Sequence, residues 1–338
     1  MCAAESSAPR SARASVRTVP IGLLTMRISL LCTTSTSSTA AWVSDALHAG
    51  GHVVDLRPWV DADARSAAYA GHALADRWSM DRPDVVVALG WQAGLAATIG
   101  ARPGGLPVTL RLTRAGRAPG SEDDRWEMAS ARSARRVLVP STIDVDRLVD
   151  RGVRRTSLRV LPEAVDRTLF VDSDAEVPAR GRPRIAVACP DQPRAADAVV
   201  DRLSRLPAYD IDLLTRASHG EDELAAALRS AHALVVTDDS DAEVALALRA
   251  MSCAVPVVAV ATGSLTDIVA DEVTGLLVRR SADVTEALRS LLAGPLRRQS
   301  MGLAGVDRVR ARFDTAVVGA ALEGLLLETL PRQVAAAS

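Results

Sequence analysis

From Met26 onward, short apolar runs rich in β-branched residues alternate with longer amphipathic stretches, and no other feature limits the fold so closely. The run "VPVVAVA" at 255–261 is apolar on both faces, as a parallel strand covered by helices on both sides must be. Its neighbour "EVALALRAMSC" at 243–253 has the Ala and Leu content of a helix. Repetition of this pair predicts parallel α/β units.

The strand candidates are "RISLLC", "HVVDL", "DVVVALG", "PVTLRL" and "RVLVPS" in the first half, then "RIAVAC", "DIDLL", "ALVVTD", "VPVVAVA" and "GLLV". Between the halves lies "LRVLPEAVDRTLFVDSDAEVPARGRPR", whose Pro, Asp and Arg content and lost periodicity mark a linker. The pattern predicts two Rossmann-like, doubly wound parallel-sheet domains facing across a cleft: an N-terminal domain over 26–165 and a C-terminal domain over 166–312. In such sheets ligands bind beyond the carboxyl ends of the strands, at a switch point. The closing segment has helical spacing, broken at Gly294-Pro295.

Residues 1–25 are rich in Ala, Ser and Arg without apolar periodicity and read as a disordered leader, with Met1 to Val19 dispensable and Met26 a candidate start. The apolar run "IGLLTMRISLL" is interrupted by Arg27, which argues against a signal peptide, and no run is long enough to cross a bilayer. A formal net charge of −1 gives no electrostatic footprint for nucleic acid or an anionic membrane. All 40 basic residues are arginine, which excludes Schiff-base, pyridoxal-phosphate and P-loop lysine chemistry. Cys2, Cys32, Cys189 and Cys253 lack metal-ligand spacing and suit a reducing cytoplasm.

One charge is out of place. Between Glu243 and Asp267 the single charged side chain is Arg249, and its helical neighbours Ala245, Leu246, Ser252 and Cys253 offer no carboxylate. A guanidinium cannot shed its charge, so Arg249 is expected to face a polar cleft or to meet an acid there, with Asp241 and Glu243 the nearest.

Several stretches resemble the GT-B glycosyltransferases of family 4, retaining enzymes that use nucleotide sugars. They are "GGHVVDL", "RPDVVVALGWQAGLAA", the block from "ARSARRVLVPS" to Phe170, "RAMSCAVPVVAVATGSLTDIVADEVTGLLV" and "MGLAGVDRVRARF". The family reads pro-asn-gly-val-asp where this chain has Pro162, Glu163, Ala164, Val165 and Asp166. The resemblance implies a last helix near Thr315 to Leu330, within 313–338, that packs back on the N-terminal domain.

The resemblance also implies a donor site. Negative charge grows on the leaving phosphate, so cations and helix amino termini are needed there, while ribose and sugar hydroxyls need carboxylates. Neither task needs a metal or other cofactor in this fold. The phosphate cations match Cys189 and Arg194, of which Arg194 keeps the charge. The family's two glutamates, eight positions apart, match Asp241 and Arg249, and its phe-gly pair matches Glu243 and Val244. Thr262, Gly263 and Ser264 follow "VPVVAVA" and are expected to face a diphosphate or sugar, with Ser264 and Asp267 spaced as a capping box. In the first domain the family's glycine-rich turn is replaced by "TTSTSSTA", whose hydroxyls are suited to capping the next helix, and its histidine by Thr113. His48, His52, His72, His219 and His232 have no acid at triad-like spacing and read as structural. The short connection after "DIDLL" implies a second sheet one unit short.

The expected activity is transfer of a sugar from a UDP- or GDP-type donor to an acceptor that the sequence does not name. No catalytic residue is singled out. The alternative is a non-catalytic relative that keeps the shell for binding, as partner to a competent glycosyltransferase. A sugar-nucleotide epimerase would need acids and histidines across the cleft that the sequence does not offer.

Overall fold

The computed structural model describes residues 25–59, 63–112, 120–171, 182–188, 194–205, 209–214 and 220–330. The leader through residue 24, Thr113, Cys189 and His219 lie outside the described residues, and Arg194 is described by its backbone alone.

Six parallel strands form the first sheet: β1 (Arg27–Thr33), β2 (Val53–Trp59), β3 (Val85–Leu89), β4 (Val108–Arg111), β5 (Arg136–Val139) and β6 (Leu158–Val160). Five form the second: β7 (Arg184–Ala188), β8 (Asp210–Leu214), β9 (Ala233–Val236), β10 (Val257–Val260) and β11 (Gly275–Val278). The orders are β2-β1-β3-β4-β5-β6 and β11-β10-β9-β7-β8, every pair parallel. Each sheet therefore reverses its winding once, between β1 and β3 and between β7 and β9. Those points are where a doubly wound sheet opens a crevice for a ligand.

The connecting helices of the first sheet are α1 (Ser37–Ala49), α2 (Ala64–Met80), α3 (Gly90–Ala101), α4 (Glu122–Ser133) and α5 (Thr142–Asp150). Those of the second are α6 (Arg194–Ser204), α7 (Glu221–Ser230), α8 (Asp241–Ser252), α9 (Leu265–Ile268), α10 (Val284–Ala293) and α11 (Pro295–Arg312), and α12 (Thr315–Leu327) follows. The central strands are buried throughout, as the unbroken apolar runs require, whereas edge strand β2 is half exposed. The segment read as linker contains one more strand, β6, which pairs with β5 at the sheet edge. Three residues long, with Val160 at 39% exposure, it is too short and too wet to show a period.

Helix α12 returns to the first sheet. Val318, Leu322 and Leu326 are buried with Met26, Ile28 and Leu30 of the β1 region and with Val43 and Leu47 of α1. Truncating one such buried leucine to alanine typically costs about 2–5 kcal/mol. Gly319 permits the approach, because a Cβ there would stand 2.7 Å from the Ala46 Cβ. The chain crosses between the sheets twice, and the crossings bond to each other: Val165 N donates to Phe313 O at 2.9 Å, and Thr315 N to Val165 O at 3.3 Å.

Candidate active site

A cleft of about 1390 Å³ lies between the two sheets, and it is lined by the turn after β1, α1, the segment 163–170, the start of α7, α8 and α12 as far as Glu323. A single small-ligand pocket usually occupies roughly 300–1,000 Å³, so two substrates fit here together. The turn after β1 stands on one side and α8, which follows β9, on the other. Both lie at carboxyl ends of strands beside the switch points.

The first wall is built from hydroxyls and one aromatic ring. Thr34, Ser35, Ser37 and Ser38 are exposed along it, and Trp42 and Asp45 follow on the same face of α1. The hydroxyls do not cap α1 as expected. Thr33 N donates instead to Thr36 Oγ1 at 2.9 Å, closing a tight turn that ends in α1. Beneath the wall Arg111, 1% exposed, donates to Leu161 O at 2.6 Å and to Glu163 Oε2 at 2.9 Å. Its guanidinium carbon lies 5.4 Å from the Trp42 ring centroid, and Trp42 Nε1 donates to Glu163 Oε1 at 2.7 Å. Glu163, which stands where the family has asparagine, thus joins β4, α1 and the crossing segment.

On the second wall Asp241 and Arg249 both line the cleft, two turns apart on α8. The acid that meets Arg249 is neither Asp241 nor Glu243. Arg249 Nη2 lies 3.0 Å from Glu221 Oε1 at the start of α7, and its guanidinium sits 4.8 Å from the Phe170 ring centroid. Side chains project toward the helix amino terminus, yet Asp241 is eight residues away, beyond the reach of a pair at three or four. Arg249 is also only 24% exposed, held by stacking rather than snorkelling to solvent.

Glu243 faces away from the cleft. It is 1% exposed, its Oε1 has no hydrogen-bond partner, and Oε2 accepts from the Ser240 hydroxyl at 3.2 Å. Burial, reinforced by Asp238 and Asp239, pushes its pKa up to about 8. The carboxyl is therefore mostly protonated at neutral pH, which explains how a buried acid is tolerated. Val244 is buried in the core.

Thr262, Gly263 and Ser264 are not among the described residues that line the cleft. The capping box does not form either. Ser264 makes no side-chain cap, α9 is a four-residue turn, and the N–H groups of Leu265, Thr266 and Asp267 are spent on the carbonyls of Thr262, Gly263 and Ser264. Asp267 is used elsewhere, accepting from Thr142 N at 2.8 Å and Thr142 Oγ1 at 2.9 Å at the start of α5. The two domains are latched there. Gly263 has φ +43, and a Cβ on it would stand 1.7 Å from Asp239 Oδ2. Among the described histidines, His52 Nδ1 accepts from Met26 N at 3.2 Å and His232 Nδ1 from Arg184 N at 3.1 Å, both structural roles.

The sequence reading missed Trp42, Asp45, Glu163, Glu221 and Glu323 as wall residues. For Asp45 and Glu323 the signal is a stripe of small side chains carrying an isolated acid: Ser38, Ala41, Asp45 and Ala49 on α1, and Thr315, Gly319 and Glu323 on α12.

A family model described as a glycosyl transferase 4-like domain matches residues 24–164, and one described as glycosyl transferases group 1 matches residues 212–307. A D-inositol 3-phosphate glycosyltransferase from Actinosynnema mirum is 30% identical over 212 residues, 56% of this chain and 51% of that protein. Another of that name from Kribbella flavida is 39% identical over 84 residues, 24% of this chain and 20% of that protein. The chain thus spans about half the length of the first and a fifth of the second. Among solved structures, a sucrose-phosphate synthase from Thermosynechococcus elongatus superimposes with a TM-score of 0.72 at 17% identity, covering 93% of this chain and 100% of that one. The Anabaena protein HepE in complex with UDP and glucose gives 0.72 at 12% identity, covering 90% and 100%. At these identities the likeness is one of fold.

Proposed function

Because this chain belongs to the family 4 glycosyltransferases of GT-B fold, we propose that it transfers a sugar from a nucleotide-sugar donor to an acceptor hydroxyl inside the interdomain cleft, with retention of configuration. The observation that carries this reading is the cleft itself, set between the carboxyl ends of two doubly wound sheets at their switch points and roomy enough for two substrates. The UDP and glucose bound to HepE, a protein of the same fold, support a nucleotide sugar as the donor class.

In the proposed step the bond between the anomeric carbon and the β-phosphate oxygen breaks, and its electron pair leaves with the nucleoside diphosphate. The acceptor oxygen bonds to the anomeric carbon on the same face, and its proton passes to the departing phosphate. Asp241 accepts a hydrogen bond from a donor hydroxyl, and Arg194, at the start of α6 beyond β7, neutralises phosphate charge. Arg249 takes the place of the ribose-binding carboxylate. Among the described residues no helix is long and apolar enough to cross a membrane.

A thermal-shift panel of UDP, GDP, ADP and their glucose and mannose conjugates tests the reading. A ligand that binds only the folded state adds about 2.7 kcal/mol at 100 times its Kd. At least one nucleotide is expected to raise Tm. A panel with no shift at millimolar ligand removes the nucleotide-sugar reading.

A further inference from the structure

The cleft is acidic. Among the described residues that line it, Asp45, Glu163, Asp166, Glu221, Asp241 and Glu323 are carboxylates, and Arg249 is the one cation. Their partners differ. Arg249 is neutralised by Glu221, Glu163 is held by Arg111 and Trp42, Asp166 accepts from Thr168 N, and Glu323 lies 3.5 Å from His52 Nε2. Asp45 is different: it is exposed on the cleft face of α1 and has no hydrogen bond or ion pair with any described residue.

Asp45 belongs to a surface with a definite chemistry. Ser38, Trp42 and Asp45 sit at positions i, i+4 and i+7 of α1, so they share one face over about 10 Å of helix. Ser35 and Ser37 extend that face with hydroxyls. The Trp42 indole is fixed at Nε1 by Glu163 and under one face by Arg111, which makes it a rigid apolar platform. Hydroxyls to bond ring hydroxyls, an aromatic platform for a ring's C–H face and a free carboxylate together describe a receptor for a hydroxylated ring bearing positive charge. A phosphate-bearing ring would meet Asp45 with no cation among the described residues that line that side, since the Arg111 guanidinium beneath the wall is spent on Glu163.

We propose that the acceptor is an amine-bearing polyol, an amino sugar or aminocyclitol, whose ammonium group is received by Asp45 and whose ring rests on Trp42. The word acceptor rests on the glycosyl-transfer reading; the binding site does not.

Calorimetric titration of the whole chain tests it with four probes: 2-deoxystreptamine, its di-N-acetyl derivative, myo-inositol 1-phosphate and spermidine. The diamine is expected to bind at least tenfold tighter than the acetylated form and the phosphate, and its affinity falls with salt because the attraction is screened. Spermidine, which lacks hydroxyls and a ring, is expected to bind at least tenfold more weakly than the diamine. Asp45→Asn is expected to weaken the diamine about tenfold while leaving the acetylated form unchanged. Failure of the diamine to bind, equal or tighter binding of the acetylated or phosphate probe, indifference to Asp45→Asn, or spermidine binding as well as the diamine each overturn the proposal. UDP, GDP and ADP are titrated in parallel. Loss of nucleotide binding sinks the transfer reading and leaves the amine site standing, whereas amine failure with nucleotide binding intact sinks the amine site alone.

Discussion

Arg249 Nη2 lies 3.0 Å from Glu221 Oε1, so the charge that interrupts the apolar stretch of α8 is matched by an acid 28 residues earlier, on α7. The pair occupies the wall where the family's ribose-binding carboxylate is expected. Exposed at one end, with Glu221 at 59%, it adds no more than about 1 kcal/mol to stability.

Its cost falls on the ligand. In the proposed site, with a donor in place of an acceptor, ribose hydroxyls would lose their partner, a loss of about 2–4 kcal/mol in binding. The double variant Arg249→Glu with Glu221→Gln is expected to bind a nucleoside diphosphate at least tenfold tighter than the wild type by calorimetry. Arg249→Glu alone gains less and melts lower, because Glu221 then repels the new carboxylate. Tight wild-type binding that both variants lose would make Arg249 a ligand-contacting residue.

Glu243 carries a pH signature. Its pKa in the fold, about 8, exceeds the ordinary value of 4.5, so the folded state holds the proton more tightly than the unfolded chain. The stability contributed by the protonated carboxyl is complete below about pH 4.5 and is lost as pH climbs through 8. Glu243→Gln keeps the shape and removes the titration. Relative to wild type it is expected to gain about 2–4 kcal/mol between pH 5 and pH 9, read from denaturant midpoints. A difference that does not change with pH would mean that Glu243 is ionised in the fold.

The Thr142 and Asp267 latch joins α5 to α9 through two donors on one carboxylate. Asp267→Ala is expected to cost about 1 kcal/mol, since the bonds are solvent-exposed, and to widen the radius of gyration in small-angle scattering as the domains part. An unchanged radius would show that the crossings at Val165 and Phe313 hold the domains unaided.

Much of the fold was legible because unbroken apolar runs admit few alternatives: ten strand candidates correspond to ten of the eleven strands among the described residues. The missing one, β6, is an edge strand of three residues with no period to read. The site was less legible. Arg249 emerged as a lone charge in an apolar stretch and Asp241 from the resemblance to the family, and both line the cleft. Glu221, Trp42 and Glu163 reach it only through tertiary contacts across 28, 121 and 52 residues, which no local pattern encodes. The Ser264 and Asp267 spacing misled because the Asp267 carboxylate found a better donor pair in the other domain.

The most direct measurement is transfer itself, followed by NMR with a carbon-13-labelled nucleotide sugar chosen from the thermal-shift panel and offered with 2-deoxystreptamine. Release of nucleoside diphosphate, together with a glycoside that keeps the donor's anomeric configuration, is the expected result. Ala245→Trp, which fills the cleft from the half-buried, cleft-lining face of α8, is expected to abolish both signals. An intact donor, an inverted product, or undiminished turnover in the Ala245→Trp chain would contradict retaining transfer in this cleft.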